Sequence, residues 1–256
     1  EEKLKVHFID VGQADAILIQ QQDQYMLIDG GNNEDGDLIV DYLKKQGVKG
    51  LQYIIGTHPH EDHIGGLDEV IHNFHTNKVI MPKVSANTKT FEDVLIAIEN
   101  KGLKITSPKA GDTYSLGEGQ WTILAPNKDE YKDMNNYSIV VRYVFGNTSF
   151  LFTGDAEETS ESEILSKSMK PAGNLQSDVL KVGHHGSESS TSLDFLNAIN
   201  PRYVVISVGV DNGYGHPHEE VMARIQEKNI EVFRTDEKGT IIISSDGTEL
   251  SILTEK

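Results

Sequence analysis

Two stretches in opposite halves of the chain are written to one plan, and any fold has to accommodate both. Asp15-Ala16-Ile17-Leu18-Ile19 is followed by a polar turn, by Tyr25-Met26-Leu27-Ile28 and by Asp29-Gly30. Ser138-Ile139-Val140-Val141-Arg142 is followed in the same way by Ser149-Phe150-Leu151-Phe152 and by Thr153-Gly154-Asp155. Each is a polar residue, a buried-type strand, a polar turn, a second such strand, and a turn holding Gly and Asp. The spacing is too long for a solenoid repeat and predicts two hairpin-containing halves facing each other.

Around this repeat, strands and helices alternate. Further strands are expected at 6–10, 53–55, 178–182, 203–208 and 230–233, and helices at 38–45, 67–74, 91–100, 193–198 and 219–227. Gly47 and Gly102 stand where two of these helices should end, and Thr90 is placed to cap the helix at 91–100. A closing hairpin, 240–244 with 248–253, turns on the two-residue pair Asp246-Gly247. No Pro/Gly/Ser-rich linker or like-charge block divides the 256 residues, so 1–256 reads as one domain of the α/β class. Strands mixed with helices in both halves predict two mixed sheets with helices outside them, a four-layer αββα sandwich.

Cysteine is absent, which excludes disulfides, thiolate zinc sites and a thiol nucleophile. Lysine and arginine number 23 against 40 aspartates and glutamates, a net charge of −17. Such a surface repels polyanions and opposes a groove that grips an extended nucleic-acid backbone. No apolar run reaches the ~20 residues needed to cross a bilayer. The first residue is Glu rather than Met, so the expectation is a trimmed or processed chain, with any signal peptide, anchor or membrane-spanning neighbour lying upstream. An exported or extracytoplasmic location is expected over a cytoplasmic one.

The chemistry concentrates in Thr57-His58-Pro59-His60-Glu61-Asp62-His63-Ile64-Gly65-Gly66, which follows a buried-type strand and precedes a helix. Loops at the C-terminal ends of strands are where α/β sites commonly form. Three imidazoles and a carboxylate this close suit a borderline divalent ion such as zinc, manganese or iron. His58 and His60 are two apart, so an extended segment projects them to one side. Asp62 and His63 are adjacent, and a turn can aim them at a second ion. Gly65 and Gly66 let the backbone fold closely around the site.

One loop does not complete two coordination spheres, and strand ends elsewhere offer the remainder. Asp155 follows an apolar strand, where a carboxylate can bridge two ions. In Lys181-Val182-Gly183-His184-His185-Gly186-Ser187 one histidine is expected to be a ligand and the other to stand behind it or act in catalysis. Strand alternation through Leu180 and Val182 favours His184 as the ligand. His216, in Gly215-His216-Pro217-His218, is expected as a ligand or general acid, while Pro217 suits the first turn of a helix and His218 falls on it as a solvated residue. Lys181 either helps with charge or is a surface lysine. Asp29 is placed to orient a ligating imidazole, whereas His7, in a strand, and His72 and His75, three apart on a helix, read as ordinary positions.

The run His58-Pro59-His60-Glu61-Asp62-His63 resembles the HxHxDH signature of the metallo-β-lactamase superfamily. His7-Phe8-Ile9-Asp10-Val11-Gly12-Gln13-Ala14-Asp15-Ala16 with Asp29-Gly30-Gly31, Asn135-Asn136-Tyr137-Ser138, Thr153-Gly154-Asp155, His184-His185-Gly186-Ser187 and Tyr214-Gly215-His216-Pro217 resemble, in order, its ComEC branch, the hydrolase-like domain of bacterial DNA-uptake channels. The resemblance implies the αββα sandwich with a two-metal centre at the shared edge of the sheets. It implies His58 and His60 at one ion, Asp62 and His63 at the other, and Asp155 between them. Asn136 and Ser187, inside matched segments, are expected behind the ligands or against the substrate. Many members supply a third His to the first ion, but this chain has none between His75 and His184 and offers Asn135-Asn136 there. Water, a substrate oxygen or a later His is left to fill that place. The ComEC domain often has Asp where this chain has His60. Phosphorylcholine esterases of Gram-positive surfaces look similar too, with an HHH-type run at His184-His185-Gly186.

The expected function is therefore a hydrolase with two divalent ions, zinc or manganese, acting on a phosphodiester: a small molecule, a surface polymer or DNA. A hydroxide oriented by Asp62 attacks, and His185 or His216 stabilises the transition state or protonates the leaving oxygen. Hydrolysis of a lactone, thioester or β-lactam is the rival chemistry, and a non-catalytic module of a DNA-uptake apparatus the rival role.

Overall fold

The computed structural model describes residues 3–168 and 174–256. In chain order these begin with the antiparallel strands β1 (Leu4–Phe8), β2 (Ile17–Gln21) and β3 (Gln24–Ile28). Helix α1 (Gly36–Lys45) then crosses to β4 (Gly50–Ile55). The short helix α2 (Glu61–Ile64) and α3 (Leu67–Asn73) lead to β5 (His75–Ile80), and α4 (Lys89–Asn100) leads to β6 (Ile105–Thr106). β3, β4, β5 and β6 run parallel, so their C-terminal ends share one edge.

The second sheet begins with the antiparallel strands β7 (Thr113–Leu116), β8 (Gly119–Ala125), β9 (Val140–Phe145) and β10 (Thr148–Phe152). Helix α5 (Glu158–Ser168) precedes the parallel strands β11 (Val179–Lys181), β12 (Tyr203–Ile206) and β13 (Glu231–Arg234), which are separated by α6 (Leu193–Ile199) and α7 (Glu219–Glu227). After α8 (Thr235–Lys238), the hairpin β14 (Ile241–Ser245) and β15 (Leu250–Thr254) returns to the first sheet and pairs with β1. The described residues thus form an eight-stranded sheet, β15-β14-β1-β2-β3-β4-β5-β6, and a seven-stranded one, β13-β12-β11-β10-β9-β8-β7.

The layers follow from which face of each strand is apolar. Val6, Phe8, Ile17, Ile19, Met26 and Ile28 from the first sheet pack against Trp121, Ile123, Val141, Tyr143, Phe150 and Phe152 from the second. The alternate residues Leu18 and Leu27 meet Ile39, Leu43, Val70 and Ile98 of α1, α3 and α4. Likewise Leu151, Leu180 and Val204 meet Ile164, Phe195, Leu196 and Ile225 of α5, α6 and α7. Strands covered on both faces read as continuous apolar runs, which is how they look in the sequence. The result is the four-layer αββα sandwich, and the paired stretches of the opening repeat are the hairpins β2–β3 and β9–β10, one in each sheet.

Local readings differ from the structure in four places. Thr88, not Thr90, caps α4, accepting the Phe91 N–H, while Thr90 is buried and donates its hydroxyl to Asn33 Oδ1. His75 opens β5 instead of ending a helix. The closing turn holds four residues, because Asp246 Oδ1 collects the N–H groups of both Thr248 and Glu249, rather than the two residues of a tight Asp-Gly turn. Pro217 precedes α7, and His218 is its N-cap rather than a residue on it.

Candidate metal centre

The His-rich loop begins where β4 ends and is held from beneath by Asp29. That carboxylate accepts the Thr57 N–H at 2.8 Å and the Thr57 hydroxyl at 2.7 Å, and His63 Nδ1–H donates to its Oδ2 at 2.7 Å. Backbone bonds lock the loop to the turn after β3: Gly30 N–H donates to the His63 carbonyl, and Gly65 and Gly66 N–H donate to those of Gly31 and Gly30. Gly65 is obligatory here, since a Cβ would lie 2.2 Å from the Asn32 carbonyl carbon. His60 is the N-cap of α2 and stays extended, while Asp62 and His63 lie on its first turn, so the four donors leave the chain in different directions.

Asp155, in the turn after β10, completes two groups. Donor atoms of Asp62, His63, Asp155 and His185 lie within 4.8 Å of one another, and so do those of His58, His60 and Asp155. His63 Nε2 is 3.1 Å from Asp155 Oδ1, and His185 Nε2 is 3.0 Å from Asp62 Oδ2. On the other side, His58 Nε2 stands 2.9 Å from His60 Nδ1 and 3.7 Å from Asp155 Oδ2. Asp155 is thus the member common to both.

The electrostatics fit cations. Burial would depress the His63 imidazolium, but Asp155, Asp62 and Asp29 outweigh it and hold its pKa well above the ordinary value. Burial would raise Asp155, yet His63 and His185 hold it well below the carboxylate range. His58, buried beside His63, is instead pushed well down and is neutral. His63 Nε2 and Asp155 Oδ1 are buried and, apart from facing each other at 3.1 Å, have no hydrogen-bond partner, which is costly unless something else binds them. Imidazole nitrogens and carboxylate oxygens around two adjoining points are the donor chemistry of zinc or manganese, so the residues fit a pair of divalent ions.

The other candidates fall into place around this centre. His185, not His184, enters the donor group, because the strand ends at Lys181 and both histidines have positive φ (49° and 55°), so strand alternation no longer applies. His185 Nδ1–H is anchored to the Ser207 carbonyl at 2.9 Å. His184 Nε2 lies 3.7 Å from Asp155 Oδ2, and its Nδ1 faces Ser189 Oγ and Glu157 Oε1 at 3.3 and 3.4 Å. His216 lines the cleft above, together with Gln13, Asn135 and Tyr214. Asn136 turns away: its Oδ1 accepts the N–H groups of Glu157 and Ser160 at the start of α5, and Asn135 takes the place on the cleft wall. Ser187 bonds Ser189 within its own turn. Lys181 is fully buried, neither on the surface nor in the cleft, with Nζ 2.8 Å from Asp15 Oδ2.

Three residues escaped the sequence reading. Ser138 Oγ accepts the Asp155 N–H at 3.1 Å and stands 3.3 Å from His58 Nδ1; Glu157 holds His184; Gln13 reaches His216. Ser138 and Gln13 lie inside the matched segments, and Glu157 only two residues after Asp155, but nothing in the spacing says which partner each meets.

The fold and this edge define the class: an αββα sandwich with a candidate two-metal centre where the sheets meet. Residues 9–210 match the family model described as the metallo-beta-lactamase superfamily, and the chain belongs to that superfamily. It is 32% identical over 255 residues to the ComE operon protein 3 of Bacillus subtilis (strain 168), covering 93% of this chain and 32% of that protein. It is 31% identical over 242 residues to the competence protein ComA of Neisseria gonorrhoeae, covering 94% and 32%. The chain spans about a third of the length of these relatives. Among solved structures, CmlA, a diiron β-hydroxylase from Streptomyces venezuelae, superposes with a TM-score of 0.62 at 15% identity, covering 99% of this chain and 54% of that one. The metallo-β-lactamase fold protein YhfI of Bacillus subtilis gives 0.58 at 13%, covering 93% and 98%. These two share the fold. Among the described residues, no helix is long and apolar enough to cross a membrane.

Proposed function

We propose that this chain hydrolyses phosphodiesters with the help of two divalent cations, zinc or manganese. The observation that carries the reading is Asp155, common to two donor groups at an open cleft of about 770 Å³. His58, His60 and Asp155 would hold one cation, with His184 in reach, and Asp62, His63, Asp155 and His185 the other. Such a pair of ions supplies a nucleophile at neutral pH and neutralises charge on phosphoryl oxygens. Asp62, kept ionised by His63 and His185 against the effect of burial, faces the cleft and can orient the attacking water by accepting its hydrogen bond. His216 presents its ring from the cleft wall to the oxyanion or the leaving oxygen.

The substrate class has a second support. The loop that gives Asn135 to the cleft gives Tyr137 to a neighbouring pocket of about 250 Å³, which Lys83, Lys109, Lys128 and Lys167 also line. In a chain of net charge −17, four lysines around one pocket, set against Asp129 on its wall and Glu163 paired with Lys128, leave a local excess of positive charge that suits phosphates on either side of a scissile one. That favours a polymeric diester over a single headgroup, and the resemblance of the sequence motifs to the hydrolase-like domain of DNA-uptake channels makes DNA the first polymer to test.

The test is turnover of bis(p-nitrophenyl) phosphate and of single- and double-stranded oligonucleotides with added manganese or zinc, beside a chromogenic cephalosporin. Phosphodiester cleavage that is lost in Asp62→Asn supports the reading. Opening of the cephalosporin without diester cleavage, or no turnover with either metal, overturns it.

A further inference from the structure

His216 faces the cleft from the loop after β12, and its neighbours decide which ring nitrogen carries the proton. Nδ1 lies 3.1 Å from Gln13 Nε2. The Gln13 amide is itself fixed, because its Oε1 accepts the Gly209 N–H at 3.0 Å. Turned over, the amide would set two N–H groups against each other at Gly209. The two loops are also in close contact there: a Cβ on Gly209 would sit 2.8 Å from the Gln13 backbone nitrogen. Asn212 clamps the His216 loop from within, its Nδ2 donating to the His216 carbonyl at 2.7 Å and its Oδ1 accepting the His216 N–H at 3.0 Å.

With Gln13 Nε2 as the donor, His216 Nδ1 must accept, so the proton of the neutral ring sits on Nε2. The ring stacks on Tyr214, with centroids 5.5 Å apart, and stands edge-on to His184 at 5.6 Å. Gln13 comes from the turn after β1 and His216 from the turn after β12, so one side chain ties the two sheets together at the cleft. Taking the hydrolytic reading above as given, we propose that Gln13 is a positioning residue that holds His216 as a neutral Nε2–H donor to an oxygen of the bound oxyanion. In this role His216 hydrogen-bonds the developing charge and does not give up its proton to the leaving group.

Long-range proton–nitrogen correlation spectra of the full chain at about pH 8, metal-free and zinc-loaded, read the tautomer directly, with His216→Gln assigning the ring. Nδ1 is expected to be pyridine-like and Nε2 pyrrole-like in both states. In Gln13→Glu the carboxylate keeps the Gly209 bond and can only accept, so the ring proton should move to Nδ1; in Gln13→Leu both tautomers should appear. Both variants should lose about tenfold to a hundredfold in kcat on bis(p-nitrophenyl) phosphate with little change in KM. A proton on Nδ1 in the wild type, loss of the Nε2 proton on adding zinc, or an unchanged tautomer in Gln13→Glu overturns the proposal. A wild type with the Nε2–H tautomer that cleaves no phosphodiester instead sinks the hydrolytic reading, while Gln13's hold on the proton is upheld.

Discussion

Lys181 Nζ sits 2.8 Å from Asp15 Oδ2, with both side chains out of solvent, and so joins β11 of one sheet to the turn before β2 of the other. The same ammonium donates to the Val182 carbonyl at 2.9 Å, and Asp15 Oδ1 lies 3.4 Å from His185 Nδ1. The pair backs the candidate metal centre without entering the cleft. Breaking one side of a buried ion pair costs about 3–5 kcal/mol. Lys181→Met should therefore lose stability on that scale, and adding Asp15→Asn should cost much less than the sum of the two single changes. Urea unfolding of the two single variants and the double variant measures this; additive losses would contradict it.

The shared carboxylate makes a separate prediction about loading. Zinc or manganese at about a hundred times its dissociation constant should stabilise the wild type by about 2.7 kcal/mol for each ion bound. In Asp155→Asn that rise should vanish and the bound metal per chain should drop, whereas His60→Ala should lose one ion of the two. Thermal melts and elemental analysis of dialysed protein check both, with circular dichroism confirming that the variants fold.

His7 gives a pH dependence far from the cleft. Burial, then Lys5, lowers its pKa to about 4, and its Nδ1 meets the Tyr42 hydroxyl at 2.8 Å. The unfolded chain takes up this proton near pH 6.5, before the folded one does. The contribution is therefore complete above pH ~6.5 and is lost as pH falls through about 4. Between about pH 7.5 and 5 the wild type should lose about 2 kcal/mol more than His7→Gln. Parallel stability curves for the two proteins would show that this histidine takes up its proton in the fold at the same pH as in the unfolded chain.

The lysine-lined pocket predicts a split between substrates. Lys83→Gln with Lys109→Gln should raise KM for an oligonucleotide about tenfold and flatten its salt dependence. Bis(p-nitrophenyl) phosphate carries no flanking phosphate for the pocket to bind, and its turnover should not change. Equal effects on the two substrates would remove the pocket from binding.

Much of this architecture was legible because strands buried on both faces leave uninterrupted apolar runs, as at 16–19 and 150–152. Elements without that mark were missed. α5 carries little apolar surface, and its buried Glu161 matters by accepting the N–H groups of Thr191 and Ser192, a partnership no window of sequence displays. β5 begins His75-Thr76-Asn77-Lys78 and alternates between exposed and buried positions near the sheet's margin. In the site, the loop from His58 to His63 announced itself through donor density alone. The fate of Lys181, Asn136 and the His184–His185 pair depended on partners from distant strands and on two left-handed backbone positions, neither of which leaves a trace in residue spacing.

Gly65 and Gly66 lie flush against the neighbouring backbone, Gly66 so closely that a Cβ would meet the Gly30 carbonyl oxygen at 2.5 Å. The four donors that follow β4 are consequently set in position when the polypeptide first folds. Capture of an ion then demands almost no rearrangement, so a chelator should strip this protein at a rate governed by the coordinate bonds themselves and leave behind a scaffold ready to be refilled.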